Sequence, residues 1–209
     1  MPEPFEEIDP GTVRENLAEI EAVIPSGTRV LCATKYVLPE HMPLLAEAGI
    51  DLVGENRLQD LVAKQELHRD LFEWHFIGAL QSRKAPEVAE RVALIHSVCT
   101  DSVLERLRAA NSTAEALVQV NVAGEEGKAG VAPGELAAFI ERASVRVIGL
   151  STMPPLVRDP EASRPHFARL AELAAEHALD ELSMGTSQDW RVAVEEGATI
   201  IRLGTTLLR

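Results

Sequence analysis

The chain has 209 residues, 46% apolar and 25% charged, enough to bury a full core within one large α/β domain or two small ones, and one is expected. A formal charge of −13 excludes a surface built to wrap a nucleic-acid backbone, because neutralising phosphates needs clustered Lys and Arg. Cys32 and Cys99 lie far apart in apolar runs, the amino-terminal MPEPFEEIDPG has no apolar signal region, and no run nears the roughly 18 apolar residues of a membrane span, so a soluble protein of the reducing cytosol with no membrane partner is expected.

In chain order, GTVRENLAEIEAVI (11–24) is amphipathic through Val13, Leu17, Ile20 and Ile24 and predicts a helix ahead of the first strand. Strands are predicted at 28–35, 50–56, 73–78, 93–98, 116–122, 145–153, 179–185 and 198–205. The seven stretches between them carry helical spacing, as in PEHMPLLAEAG with Leu44, Leu45 and Ala48, or RPHFARLAELAAEHA with Phe167, Leu170, Leu173 and Ala174. Runs apolar on both faces and joined by helices imply parallel strands, and eight of them imply a closed (β/α)8 TIM barrel, here with an extra amino-terminal helix. The sequence ends at Leu207, Leu208 and Arg209, which leaves no room for a full eighth crossover helix, and the amino-terminal helix is placed to fill that gap. No linker or internal repeat interrupts the pattern, so residues 1–209 are expected to form a single domain.

In such barrels the chemistry gathers at the carboxyl ends of the strands. Here those ends are polar: Thr34 and Lys35 after strand 1, Gly54, Glu55 and Asn56 after strand 2, Gly78, Gln81 and Ser82 after strand 3, Ser183 to Ser187 along strand 7, and Arg202 to Thr205 along strand 8. The last two ends suit a phosphate. Gly185 and Gly204 would let backbone N–H groups approach an anion, Ser187 and Thr205 add hydroxyls, and SQDWRVAVEEG predicts a helix whose amino terminus carries partial positive charge. Ser187 would serve equally as a plain helix cap; two such loops on adjacent strands favour the ligand.

Lys35 interrupts an apolar strand with an ammonium group. A free lysine has a pKa near ~10.4, so an attack on a carbonyl requires burial or neighbouring cations to lower it, and a barrel mouth can do that. A solvated strand-end lysine is the plainer alternative. A carbonyl ligand with a phosphate handle would join Lys35 to the phosphate side of the cup.

The segments ATKYVLPEHM, DLVGENRLQDLVAK, WHFIGALQSRK, IHSV, VNVAGEEGKAGV, GLSTMPP, LSMGTSQDW and IRLGTTL occur in an order and spacing that resembles the YggS/PROSC family of pyridoxal phosphate homeostasis proteins, over roughly residues 12 to 207. The resemblance implies an alanine racemase N-terminal domain-like barrel, with pyridoxal 5'-phosphate held as an internal aldimine on Lys35. It also implies that Asn56 lines the site, that Ser187, Gly204 and Thr205 take the phosphate, and that Arg202 faces the pyridine nitrogen. Free amino acids and recipient apo-enzymes would be the partners of a monomeric carrier. Arg57, Arg83 and Thr186 depart from the family pattern, as does the GTTLLR ending, and Arg57 and Thr186 would alter the polarity of the cup.

An arginine at the ring nitrogen stays protonated and cannot supply the carboxylate that keeps a pyridinium, so the electron sink is weak. Racemisation needs a second acid/base on the opposite face, and strand alternation would turn Tyr36 away from it. A carrier is therefore favoured, with a racemase-like enzyme as the alternative and a phosphosugar enzyme using Glu55 as a third class. GEEGKAG (124–130) has the wrong spacing and charge for a phosphate loop. His75 and His96 have no acidic or cysteine partner evident from spacing and are read as buried core or supporting residues. NST (111–113) is formally a glycosylation sequon, without significance inside a cell.

Overall fold

The computed structural model describes Phe5 and residues 7–209; residues 1–4 and 6, part of the acidic amino-terminal stretch, lie outside it. Eight parallel strands close into a barrel in sequence order: β1 (Arg29–Ala33), β2 (Leu52–Glu55), β3 (Glu73–Phe76), β4 (Leu94–Val98), β5 (Glu115–Gln119), β6 (Arg146–Ser151), β7 (Glu181–Thr186) and β8 (Ile200–Leu203). The last strand returns to the first, with Arg202 opposite Leu31. Each expected strand is present, most trimmed by a residue or more at their ends, with β5 starting one residue earlier and β7 ending one residue later than expected.

The strands carry apolar side chains on both faces because both faces are covered. Leu31, Leu52, Leu94, Leu117 and Ile200 fill the barrel interior, with Ile77 and Ile148 packed on them. The outward side chains meet a ring of helices: α1 (Pro10–Glu21) before β1, then the seven crossovers α2 (Met42–Glu47), α3 (Leu58–His68), α4 (Ala85–Ala89), α5 (Asp101–Ala109), α6 (Leu136–Glu141), α7 (Arg164–Glu176) and α8 (Trp190–Glu195). In α7, Phe167, Leu170, Leu173 and Ala174 are all buried, as their spacing predicts. A fully buried Leu or Phe of this kind stabilises the fold by roughly 1.5–3 kcal/mol. The inner face of α2 is Met42 and Leu45, with Leu44 only half-buried.

Helix α1 is started by Asp9, whose carboxylate accepts the N–H groups of Gly11 and Thr12 at 3.3 and 2.9 Å, and by Pro10 in the first turn. It buries Val13, Leu17 and Ile20, while Ile24 lies beyond its end. The chain also forms a single-turn helix after the eighth strand, α9 (Thr205–Leu208), which the sequence did not announce. Asn16 donates to the carbonyls of Leu207 and Arg209, each at 3.1 Å, so α1 does cover the end of the chain.

Candidate functional site

Strand β1 ends at Ala33, and the chain turns at once, with Val37 N–H donating to Thr34 O at 2.8 Å. Behind this turn lies a buried ion pair between Lys64 of α3 and Glu55 at the end of β2. Lys64 also donates to Thr34 O at 2.7 Å, and the Thr34 hydroxyl donates to Glu55 Oε1 at 2.6 Å. These charges are 3% and 0% exposed, so they depend on each other and on Thr34, with Asn56 N–H also donating to Glu55 Oε2 at 3.3 Å. Thr34 and Glu55 therefore face the helix layer. Glu55 is not available to a ligand as an acid or base, which corrects the expectation that it lines the cup.

Lys35 leaves the turn toward solvent and is exposed at the carboxyl mouth, not buried. Its Nζ stands 4.7 Å from the centre of the Tyr36 ring. Tyr36 lines the same cavity as Lys35. The alternation that was expected to turn it away ends three residues earlier, at Ala33, where the strand ends.

The cavity, of ≈ 350 Å³, brings together Lys35, Asn56, Ser187, Arg202, Gly204 and Thr205. Strand parity on β2 explains Asn56: Gly54 faces inward, where a Cβ would sit 2.5 Å from Leu31, Glu55 faces outward, and Asn56 returns to the mouth. Its Oδ1 is buried and has no hydrogen-bond partner among the described residues, an acceptor left for something else.

Arg202 is 7% exposed at the floor of the cavity. One terminal nitrogen, Nη1, donates to Ser183 O at 2.7 Å and to Ser183 Oγ at 2.5 Å; the other, Nη2, donates to Thr152 O and meets Met153 Sδ, both at 2.9 Å. With the terminal N–H groups committed, Nε–H is the donor without a partner among the described residues. Burial pulls the guanidinium down to about 10, partly opposed by the Asp189 carboxylate, and it remains a cation at neutral pH.

At the other end, Ser187 Oγ accepts the N–H groups of Gly204 and Thr206, both at 3.3 Å, and among the described residues its own O–H has no acceptor. Helix α8 begins at Trp190, after Asp189, so Ser187 is not its cap. The buried Asp189 carboxylate instead accepts Thr186 N–H at 2.8 Å and the Ser163 hydroxyl at 2.9 Å, placing a negative charge where partial positive charge was expected. Gly185 also has another purpose: it holds φ +88°, and a Cβ there would lie 2.6 Å from Ala193, so it lets α8 pack under β7. At Gly204 a Cβ would meet only ordinary contacts, the nearest atom being Ala33 O at 3.7 Å.

Gln81 lies outside the cup and lines a neighbouring cavity of ≈ 300 Å³ with Arg57 and Lys84. Of the two departures expected to change the cup, Thr186 lines it and Arg57 does not. Phe5, Met153 and Leu156 also line the cup and were not anticipated; Phe5 N–H is tied to Tyr36 O at 2.9 Å. Met153 and Leu156 are exposed apolar residues in the GLSTMPPL stretch, a signal the sequence did offer. His75 has an acidic partner after all, Glu73 two residues earlier on the same face, at 2.7 Å. No group of three metal-binding side chains occurs among the described residues.

A parallel eight-stranded barrel with a lysine after the first strand, an arginine on the last and hydroxyl donors at the β7 and β8 ends defines a class: residues 8–208 match the family model "Alanine racemase, N-terminal domain". PipY of Synechococcus elongatus PCC7942 superposes with a TM-score of 0.85 at 33% identity, covering 94% of this chain and 100% of that one, and its structure with PLP bound gives 0.83. The pyridoxal phosphate homeostasis protein of Aquifex aeolicus is 42% identical over 194 residues, covering 86% of this chain and 85% of that protein. That of Pseudomonas aeruginosa is 36% identical, covering 94% of each. The chain belongs to the YggS/PROSC family of pyridoxal phosphate homeostasis proteins. Among the described residues no helix is long and apolar enough to cross a membrane.

Proposed function

We propose that the chain binds pyridoxal 5'-phosphate in the cup, attaches it through Lys35, and holds it for other proteins rather than turning over amino acids. The observation that carries this reading is that an amine, a guanidinium and a cluster of hydroxyl and glycine donors from β1, β7 and β8 share one cavity. The relatives named for pyridoxal phosphate homeostasis and the PLP-bound PipY support it. The residues present suit the group. Asn56 Oδ1 is an unpartnered acceptor, Ser187 keeps a free O–H, Arg202 keeps Nε–H, and the volume falls within the range of small-molecule sites.

When bound, the cofactor supplies an aldehyde that condenses with a primary amine, releasing water, and a ring that withdraws electrons. Lys35 provides that amine at the mouth, with no ion pair among the described residues to hold its charge. Ser187 and Thr205 offer O–H donors to the phosphate, beside Gly204, whose own N–H meets Ser187 Oγ at 3.3 Å. Arg202 only donates, so it would offer a hydrogen bond to a ring nitrogen without the carboxylate that would keep the nitrogen protonated. Among the described residues the titratable side chains lining the cup are Lys35, Tyr36 and Arg202, and Tyr36 packs against Lys35. That set favours a carrier, because α-proton abstraction with inversion needs acid and base on opposite faces. A monomer in the cytosol, meeting apo-enzymes and free amino acids, completes the reading.

A racemase-like enzyme is the second reading, favoured by the one observation that Tyr36 does reach the cup. Exchange of the α-hydrogen of L-alanine and L-serine in deuterated water separates the two. The carrier reading expects no appreciable exchange; turnover on the order of one per second, abolished by Lys35→Ala, would establish the enzyme.

A further inference from the structure

The cup does not use His75 and His96, yet both are buried inside the barrel, 1% and 3% exposed, on the inner faces of β3 and β4. They join a continuous chain of hydrogen bonds. Arg202 Nη1 meets Ser183 Oγ at 2.5 Å, Ser183 Oγ meets His96 Nδ1 at 2.8 Å, His96 Nε2 meets His75 Nδ1 at 2.9 Å, and His75 Nε2 meets Glu73 Oε1 at 2.7 Å. Glu73 sits at the amino end of β3, 43% exposed and 2.9 Å from Arg29. The chain therefore runs from the cup to the opposite mouth.

With both imidazoles neutral, as burial favours, the two ends fix the direction of every bond. A guanidinium only donates, and an ionised carboxylate only accepts. Ser183 Oγ, accepting from Arg202, turns its O–H to His96 Nδ1; His96 then carries its proton on Nε2 and donates to His75 Nδ1; His75 carries its own on Nε2 and donates to Glu73. In that arrangement both imidazoles are Nε2–H tautomers. The surroundings agree. Burial lowers His75 against the opposing pull of Glu73 and the more distant Glu181, and Arg29 adds to the lowering. Burial lowers His96 further, with His75, Arg202 and Arg29 all opposing a second positive charge. The bond from His75 holds Glu73 down to about 2, so the reverse set of protons does not compete.

We propose that His96 and Ser183 are positioning residues for Arg202: a one-directional hydrogen-bond relay, anchored on Glu73, pins Nη1 and so decides which N–H of Arg202 is left facing the cup. A loose guanidinium would rotate and present any of its five N–H groups. The relay supports that edge from below, while Thr152 O and Met153 Sδ hold the other terminal nitrogen.

The part of the proposal that concerns a ring nitrogen rests on the cofactor reading above; the relay itself does not, and two experiments keep them apart. In the cofactor-free full-length chain, nitrogen-15 histidine NMR at neutral pH should show His75 and His96 both protonated on Nε2 and bare on Nδ1. A protonated His96, or one carrying its proton on Nδ1, overturns the relay. The second experiment compares binding of pyridoxal phosphate with an analogue whose ring nitrogen is replaced by C–H. Ser183→Ala should weaken the cofactor roughly three- to tenfold, leave the analogue unchanged, and be rescued by Ser183→Thr, which keeps the hydroxyl. Equal losses for both ligands would mean that Ser183 supports the fold only, and would overturn the positioning role. If the wild type binds neither, the cofactor reading falls and the NMR result alone decides the relay.

Discussion

The two mouths of the barrel handle charge in opposite ways. At the amino mouth, Arg29 pairs with Glu73 at 2.9 Å, Arg146 pairs with Glu115, and Thr199 donates to Glu181 at 2.6 Å. At the carboxyl mouth, among the described residues, Asn56 Oδ1 is buried without a partner, Lys35 forms no ion pair and Arg202 keeps one donor uncommitted. The strands are the same at both ends; what differs is whether polar groups satisfy one another. Where they do, substitutions should alter stability modestly, and where they do not, substitutions should alter ligand binding. The buried pair under Lys35 stands between these cases, a structural device that serves the ligand end.

That intermediate case carries the largest expected effect. Lys64→Met leaves Glu55 buried and unpaired, and urea unfolding should show a loss of roughly 3–5 kcal/mol. Replacing both members by apolar residues of similar volume should recover a large part of it. A double variant as unstable as the single one would contradict the view that the uncompensated charge, rather than packing, is what costs.

Next in size is the ligand end. Ser187→Ala should weaken retention of pyridoxal phosphate by about 1.5–3 kcal/mol, the range for a charge-assisted hydrogen bond. Pyridoxal, which lacks the phosphate, should bind wild type and variant alike. Equal weakening of the two ligands, measured by fluorescence titration, would remove Ser187 from the phosphate side.

The relay that joins the mouths has a signature in pH. His75 and His96 are held below their ordinary value of 6.5 chiefly by burial, so the unfolded chain takes up protons that the folded chain does not. Their contribution to stability is complete above about pH 6.5 and declines as pH falls below it, by up to about 1.4 kcal/mol per pH unit for each histidine. Glu73, depressed from 4.5 to about 2, adds a further loss only as pH falls through that lower window. His96→Asn should flatten the slope between pH 6.5 and 5 in denaturant melts; an unchanged slope would mean that His96 titrates alike in both states.

The smallest effect belongs to the self-satisfied mouth. The Arg146 side chain is 76% exposed, so Arg146→Ala should cost less than about 1 kcal/mol and leave cofactor binding unaltered.

Much of this molecule is legible in its sequence, for physical reasons that also mark where legibility stops. The strands declare themselves because β2, β4 and β8 are buried at every position, and α7 because Phe167, Leu170, Leu173 and Ala174 share one face. Lys35 and Arg202 stand out as charges that break apolar runs. Tyr36 reaches the cup against expectation because β1 ends at Ala33, where the Thr34 carbonyl turns to Val37 N–H and to Lys64, thirty residues along the chain. Glu55 was misplaced although strand parity from Gly54 and Asn56 could have turned it outward. Gly185 looks the same in a sequence whether it admits a ligand or a helix; only the position of Ala193 tells which. Phe5 belongs to no periodic segment and gave no signal.

The central claim, that Lys35 is the attachment point of a pyridoxal cofactor in an otherwise unsatisfied mouth, is tested most directly by borohydride reduction of the loaded protein followed by peptide mapping. The account predicts loss of the absorbance near ~420 nm expected of this cofactor class, with a pyridoxyl group fixed on Lys35 and absent from Lys35→Ala. A label on Lys64, Lys84 or Lys128 in place of Lys35, or no label at all on protein incubated with pyridoxal phosphate, would contradict it.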